Sequence, residues 1–154
     1  MNARSMSLQC RRVAGSMLLA AIAAAAAADE PALARKLTDP GLSWNPCPAV
    51  FPAGCEIAVL HGDPGQPNAD VFFKVPGGYS IPHHWHSSAE RMVLVSGELH
   101  VTYDGQATAE LTPGMYAYGP SKAPHRADCR SSDPCVLFIA FEGPVDVQTG
   151  AQKP

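Results

Sequence analysis

The stretch that decides the fold is residues 77–97, "GGYSIPHHWHSSAERMVLVSG". It carries four side chains that are common metal ligands, between two glycine-marked turns: His83, His84, His86 and Glu90. Imidazole and carboxylate groups bind divalent transition metals in proteins. The stretch therefore raises the question of a metal site, and the answer depends on which side chains share one face of the backbone.

Strand alternation divides these four side chains. Successive side chains of a strand point to opposite faces, so His84 and His86 share a face with their Cα atoms about 6.6 Å apart. Two imidazoles at that spacing can converge on one ion, with each nitrogen about 2.0–2.1 Å from it. Glu90 has the same parity, although the intervening "SSA" is expected to loop out. His83 has the opposite parity and is expected outside the site, behind the ligands or at the rim.

A lone His-x-His pair is more often two strand histidines that bind no ion. A further histidine, His125, follows the proline-rich segment "YGPSKAP" at residues 118–124 and adds weight to a metal site. Two other histidines do not join it. We expect His100 to face solvent from a strand and His61 to lie in a loop.

The texture of the chain after residue 46 is typical of an all-β domain. Proline and glycine recur every few residues, and the runs between them are short and rich in Val, Phe, Tyr and Leu. Many short strands with regular turns indicate two packed sheets, as in a sandwich or jelly roll. Strands are predicted near residues 56–60, 70–75, 79–83, 90–95, 98–103, 107–111, 115–118, 124–128 and 135–142.

Two turns are well marked in the sequence. Asp104-Gly105 lies between two alternating runs, which predicts a two-residue type I′ hairpin, because glycine accepts the positive φ of that turn. Pro113 and Gly114 fit the two central positions of a type II turn.

The N-terminal residues resemble a secretory signal peptide. Three arginines precede the apolar run "VAGSMLLAAIAAAAAA" at residues 13–28, which ends in small residues. A membrane anchor is the alternative, but the run is shorter than the roughly 20 apolar residues of a spanning helix. Cleavage near Ala28 would remove three basic and no acidic residues, so the net charge would change from −3 to −6. Nucleic acid is therefore an unfavourable partner, and we expect a periplasmic or secreted protein.

Cysteine use agrees with export. Four cysteines remain after the predicted cleavage, an even number in a chain bound for an oxidising compartment: Cys47, Cys55, Cys129 and Cys135. Three pairings are open. The short separations favour Cys47 with Cys55 and Cys129 with Cys135, whereas a thiolate metal site is disfavoured because the chain has no Cys-x-x-Cys pair.

The spacing of these residues resembles the two motifs of the cupin superfamily. The first motif is matched without a gap by Gly78, His84-Trp85-His86, Glu90 and Gly97, and the second by Gly114, Pro120 and His125. Two positions depart from the usual pattern. Lys122 stands where the family usually has glycine, and Cys129 where it often has asparagine. The resemblance covers roughly residues 56–142.

The resemblance implies a double-stranded β-helix, the jelly-roll barrel of the cupin fold. It also implies one divalent metal ion, which would be Mn, Fe, Ni, Cu or Zn, held by His84, His86, Glu90 and His125. A homodimer is a further expectation from the resemblance. The predicted organisation is a signal peptide at residues 1–28, a linker at 29–46, the cupin domain at 47–146 and a tail at 147–154.

Strand parity predicts which residues of the strand that begins at Glu90 face the expected pocket. Met92 and Leu94 continue the Glu90 face and are expected to line the barrel, with Val93 and Val95 on the opposite face. Arg91 is expected to be a solvated strand charge. Five aromatic residues are candidates for the pocket wall, with core packing as the commoner role for each: Phe72, Tyr79, Tyr103, Tyr116 and Phe138.

Two functions are compatible with such a site. The first is a metal-dependent enzyme, with an oxygenase acting on a small organic substrate as the best single hypothesis. The second is a non-catalytic module that binds a metal or a small ligand, since one fold hosts many functions. A structural protein with an empty site is a third, weaker alternative.

Overall fold

The computed structural model describes residues 30–150. The predicted signal peptide therefore lies outside the described residues, as do the last four residues of the predicted tail. A compact unit that begins at Ala34 contains all the strands described below. None of residues 30–150 belongs to a helix that could cross a membrane.

Ten strands form two antiparallel sheets. The six-stranded sheet has the order β1-β2-β3-β10-β5-β8, and the four-stranded sheet has the order β4-β9-β6-β7. The strands are β1 (Asn45–Pro46), β2 (Glu56–His61), β3 (Asp70–Val75), β4 (Ser80–His84), β5 (Glu90–Ser96), β6 (Leu99–Tyr103), β7 (Ala109–Leu111), β8 (Tyr116–Gly119), β9 (His125–Cys129) and β10 (Cys135–Phe141).

This architecture confirms the predicted all-β, double-stranded β-helix. Each of the nine predicted strands is present, within two residues of its predicted ends. The two-residue strand β1 was not predicted, and it lies within the predicted linker. One local prediction was wrong, since His61 is the last residue of β2 and not a loop residue.

The two predicted turns had different outcomes. Gly114 has a φ of 90°, and the amide of Met115 donates to the carbonyl of Thr112 at 3.0 Å, which confirms a type II turn. The type I′ prediction at Asp104-Gly105 was wrong. Gly105 has a φ of 74°, but Asp104 lacks the positive φ that type I′ requires.

The physical reason lies in tertiary contacts of Asp104. Its amide donates to the carbonyl of Pro124 at 3.0 Å, and its carboxylate pairs with His83 at 3.0 Å. These contacts come from β4 and from the segment before β9, so no local pattern around the hairpin reveals them. With Asp104 held in this way, Gly105 alone takes a positive φ, in a turn that the amide of Gln106 closes by donating to the carbonyl of Tyr103 at 3.0 Å.

The hydrophobic core lies between the two sheets. On β5, Met92 and Leu94 are buried, whereas Val95 is 37% exposed, as the predicted alternation requires. The central strand β10 pairs with both β3 and β5 and is an almost continuous apolar run, "CVLFIAF". Burial of such runs supplies most of the driving force for folding.

Two disulfides connect the pairs that the short separations favoured, Cys47 with Cys55 and Cys129 with Cys135. Cys129 ends β9 and Cys135 begins β10, so the second disulfide joins the four-stranded sheet to the six-stranded sheet. Cys129, at the position where cupins often have asparagine, is thus part of a covalent link between the two sheets.

Lys122 has the backbone geometry of the glycine that it replaces. Its φ is 59°, in the left-handed region, and its amide donates to the carbonyl of His86 at 2.7 Å. That hydrogen bond connects the turn before His125 to the segment that carries His86. The departure from the family pattern thus leaves the turn intact, at a backbone cost of roughly 1–2 kcal/mol for a residue with a Cβ.

We predict that Leu94→Ala lowers the free energy of unfolding by about 2–5 kcal/mol, because Leu94 is fully buried between the sheets. Val95→Ala, on the neighbouring exposed position, should lower it by about 1 kcal/mol or less. Urea denaturation of both variants measures the difference. Equal losses would contradict the assignment of the two faces of β5.

We also predict that Lys122→Gly leaves the free energy of unfolding within about 1 kcal/mol of the wild type, because glycine adopts a positive φ without strain. Lys122→Val should lower it by about 1–3 kcal/mol, since a β-branched residue resists that conformation. Lys122→Asn is the control for loss of the charge, as asparagine tolerates the left-handed region. Equal stability of the Val and Asn variants would show that the turn relaxes.

Candidate metal centre

Three histidines come together where β4 meets β9. His84 ends β4, His125 begins β9, and the two are direct partners in the antiparallel register. The register of this pair shifts between Ile81 and His84, as in a β-bulge. Bulges re-aim the side chains that follow them, and this one brings His84 opposite His125. His86 follows two residues later, with its side chain on the same buried side.

The nitrogen atoms of the three imidazoles converge. One ring nitrogen from each of His84, His86 and His125 lies within 4.8 Å of the others, so the three could hold a metal ion. Glu90, the first residue of β5, approaches from the other sheet. Its Oε1 is 3.4 Å from Nε2 of His86, and its Oε2 is 3.9 Å from Nε2 of His125. All four side chains are buried.

The second ring nitrogen of each histidine, Nδ1, lies against a backbone carbonyl. Nδ1 of His84 lies 2.7 Å from the carbonyl of Pro82, and Nδ1 of His125 lies 3.0 Å from the carbonyl of Ala123. Nδ1 of His86 contacts the carbonyl of Asp146. Since a carbonyl only accepts, Nδ1 must carry the proton in each neutral ring, which leaves the Nε2 lone pair free. This is the arrangement that metal-ligating histidines commonly adopt.

Burial keeps two of the rings neutral. It lowers the pKa of His84 to about 3, with a further contribution from His125, and it lowers the pKa of His125 to about 4. Both imidazoles are therefore unprotonated at neutral pH and can donate electron pairs. Burial also raises the pKa of Glu90, while the nearby His86 acts in the opposite direction.

A segment near the C-terminus holds His86 in place. The carboxylate of Asp146 accepts from the amide of Ser87 at 2.8 Å and from its hydroxyl at 2.7 Å, so the carbonyl of the same residue meets the ring of His86. Two backbone hydrogen bonds between Trp85 and Gln148, of 3.0 and 2.9 Å, fix the segment on the other side. We call residues 145–148 the C-terminal clasp.

Tyr103 lies beside the cluster. Its ring is 4.7 Å from that of His125 between centroids. Its hydroxyl is the only buried side-chain polar atom in residues 30–150 without a hydrogen-bond partner. A Cβ at Gly119 would collide with that hydroxyl, and would lie 3.1 Å from Oε2 of Glu90. Burial, followed by the charge of Glu90, raises the pKa of Tyr103. The Tyr103 hydroxyl can donate a hydrogen bond to Glu90 when the Glu90 carboxylate is ionised. A bound cation would favour that ionised form, so the unpartnered hydroxyl fits a site for an ion.

A cavity of about 120 Å³ opens onto the four side chains. Aliphatic residues form most of its wall, together with Phe51, Phe73 and Phe141. Met92 lines it as expected, whereas the fully buried Leu94 packs in the core without reaching it.

None of the five aromatic candidates lines the cavity, and core packing, the commoner role, holds for the buried Phe72 and Tyr79. Phe72 stacks on Trp44, and the hydroxyl of Tyr79 bonds to the carbonyl of Pro52. Tyr116 is 60% exposed on β8. Parity gives the face of a strand, but it does not tell which part of a buried face is packed by neighbours.

The remaining candidates lie away from the cluster. His83 is exposed and paired with Asp104, and Arg91 is exposed and paired with Glu142. His100 is half-buried on the outer face of its sheet and lies 2.9 Å from Glu98. Asp146 was missed by sequence reasoning, because it lies 60 residues from His86 and belongs to no local pattern.

The chain is similar to several proteins of known structure. The family profile described as a cupin domain matches residues 71–141. A structure of DMSP lyases is 19% identical, with a TM-score of 0.62 over 71% of this chain and 63% of that one. The polyketide cyclase RemF of Streptomyces resistomycificus is 17% identical, with a TM-score of 0.61 over 79% of this chain and 88% of that one.

An RmlC-like cupin from Shewanella frigidimarina is 22% identical, with a TM-score of 0.50 over 61% of this chain and 79% of that one. This protein spans less than two thirds of the length of the DMSP lyase chain that it matches. No curated protein matches the sequence. At these identities the solved structures share the fold alone, and the cupin-domain profile match over residues 71–141 supports membership of the cupin superfamily.

Proposed function

We propose that this protein is an exported, metal-dependent enzyme of oxygenase type that acts on a small organic molecule. One observation carries the proposal. Three imidazoles and a carboxylate converge at one end of an otherwise apolar cavity. Such a cavity with a few convergent polar groups is typical of small-molecule sites.

In this proposal His84, His86, Glu90 and His125 are the ligands of one divalent ion. Their chemistry suits Mn, Fe, Ni, Cu or Zn, because imidazole binds all of these metals and a carboxylate adds a hard oxygen. When bound, the ion would supply Lewis acidity or activate dioxygen. The two sheets contribute jointly, since β5 provides Glu90 while β4 and β9 provide His84 and His125.

The remaining parts of the site orient and shield the reacting molecule. The carbonyl groups of Pro82, Ala123 and Asp146 hold the three rings. The apolar wall excludes water, which strengthens electrostatic interactions inside the cavity. Glu90 suits the role of proton acceptor, because its burial raises its pKa.

Two further lines support the proposal. The DMSP lyases and the polyketide cyclase are named as enzymes, and they have the same fold. The two disulfides agree with an oxidising compartment, as expected for an exported protein.

We predict graded losses of metal affinity from single substitutions. His84→Ala and His125→Ala should reduce the affinity for Zn²⁺ or Mn²⁺ most, because each removes a ligand nitrogen. Ser87→Ala removes the hydroxyl bond to Asp146 but keeps the amide bond, so it should cost about 10-fold or less, the low end of the range for outer partners of a metal ligand. Isothermal titration of the metal-free variants gives these affinities.

His83→Ala is the matched control, since His83 is adjacent in sequence to His84 but exposed and paired with Asp104. Its affinity should equal that of the wild type. Unchanged affinity in the His84→Ala and His125→Ala variants would contradict the proposed site and favour a structural protein with an empty site.

We predict that the metal-reconstituted protein consumes dioxygen in the presence of a small carbonyl, enol or phenolic compound. A panel of such compounds with each of the five metals can be followed with an oxygen electrode and by mass spectrometry. Glu90→Gln keeps the shape of the side chain but removes its charge, so it should abolish turnover.

A non-catalytic binding module is the second candidate. It is favoured by the lack of a general acid or base on the described cavity wall beyond the four ligands and Asp146. Retained metal and a ligand-dependent rise in Tm, without turnover across the panel, would select it over the enzyme.

A further inference from the structure

We propose that the cavity binds a compact molecule whose polar atoms are confined to one end and whose remainder is hydrocarbon. This inference deepens the proposed function and rests on it, because the polar end is taken to reach the ion held by the three histidines and Glu90. It excludes sugars, amino acids, dicarboxylates and other ligands with a second polar group remote from the metal.

The distribution of polar atoms on the wall carries the inference. Of the described residues that line the cavity, only five have polar or charged side chains, and four of these are the clustered His84, His86, Glu90 and His125. The fifth, Asp146, uses both carboxylate oxygens on Ser87 and Gln148. The lining contains no Lys, Arg, Ser, Thr, Asn, Gln, Tyr or Trp.

A second polar group on the ligand would therefore lose water without gaining a partner. Removing a hydroxyl or a charge from water without a new hydrogen bond is unfavourable, and far more so for a charge. An anionic group would in addition face the acidic side chains of Glu90 and Asp146, with no cationic side chain on the described wall. A hydrocarbon end gains from the same wall, because its contact removes apolar surface from water.

The size of the cavity limits the ligand. An apolar cavity of about 150 Å³ accepts benzene. The cavity of about 120 Å³ in this protein is slightly smaller, so it suits a molecule of about five to seven non-hydrogen atoms.

The first experiment tests whether the apolar cavity wall binds a hydrocarbon in the metal-free protein. Benzene is titrated into the metal-free protein with labelled methyl groups, and the methyl resonances of Ile81, Leu137 and Ile139, which line the cavity, are followed by NMR. We expect these resonances to shift, while the methyl groups of the exposed Val95 stay unchanged. Ala127→Leu, which extends a lining side chain into the cavity, should weaken the binding of benzene.

The second experiment compares pentanoate and succinate on the zinc-loaded protein. Both probes have a carboxylate for the metal and similar size, but succinate carries a second carboxylate where pentanoate has an ethyl group. We expect pentanoate to bind at least about tenfold more tightly. Equal affinities, or methyl resonances that benzene leaves unshifted, would overturn the inference.

The two failures are distinguishable. If benzene binds but the protein takes up no zinc, the proposed metal-dependent function is wrong, whereas the inferred preference of the cavity for hydrocarbon is supported. If zinc binds and succinate matches pentanoate, the metal site stands and the inferred ligand class is wrong.

Discussion

The pairing of β4 with β9 is the constraint on which the rest of the site depends. Their antiparallel register, with its shift between Ile81 and His84, places His84 directly opposite His125. The sheet then encloses both rings in an apolar interior, where their pKa values fall to about 3 and about 4. Two unprotonated rings then face one another across the strand pair, and with His86 they form a cluster that could hold a metal ion.

The polar cluster is kept in order by contacts from distant parts of the chain. The C-terminal clasp orients His86, and the amide of Lys122 donates to the carbonyl of the same histidine. Glu90 arrives from the opposite sheet. Because these groups belong to separate elements, the cluster requires both sheets to close on each other. Ligand geometry and folding are therefore coupled, as in other sites built between packed layers.

Much of the fold could be predicted from the sequence because strands and turns are coded locally. The alternation of Met92, Val93, Leu94 and Val95 gave their faces correctly, and Pro113-Gly114 gave its turn. Local signals failed where a distant contact decides the outcome. Asp104 is held by Pro124 and His83 and does not adopt the type I′ turn. Tyr116 has the residue type of a core aromatic, yet it pairs with Val93 on the exposed side of the edge strand β8.

For the candidate site, the sequence by itself determined the residue types, their spacing and their shared parity. These are properties of two local motifs that resemble those of cupins, so they can be read without a structure. Only the tertiary structure decided how close the four side chains come, which ring nitrogen remains free, and that Asp146 holds His86 from 60 residues away. It also decided that aliphatic side chains and three phenylalanines, and not tyrosines, form most of the cavity wall. The physical reason is that distances, hydrogen-bond partners and cavity shape arise from the packing of one sheet against the other, and no segment of the chain contains that information alone.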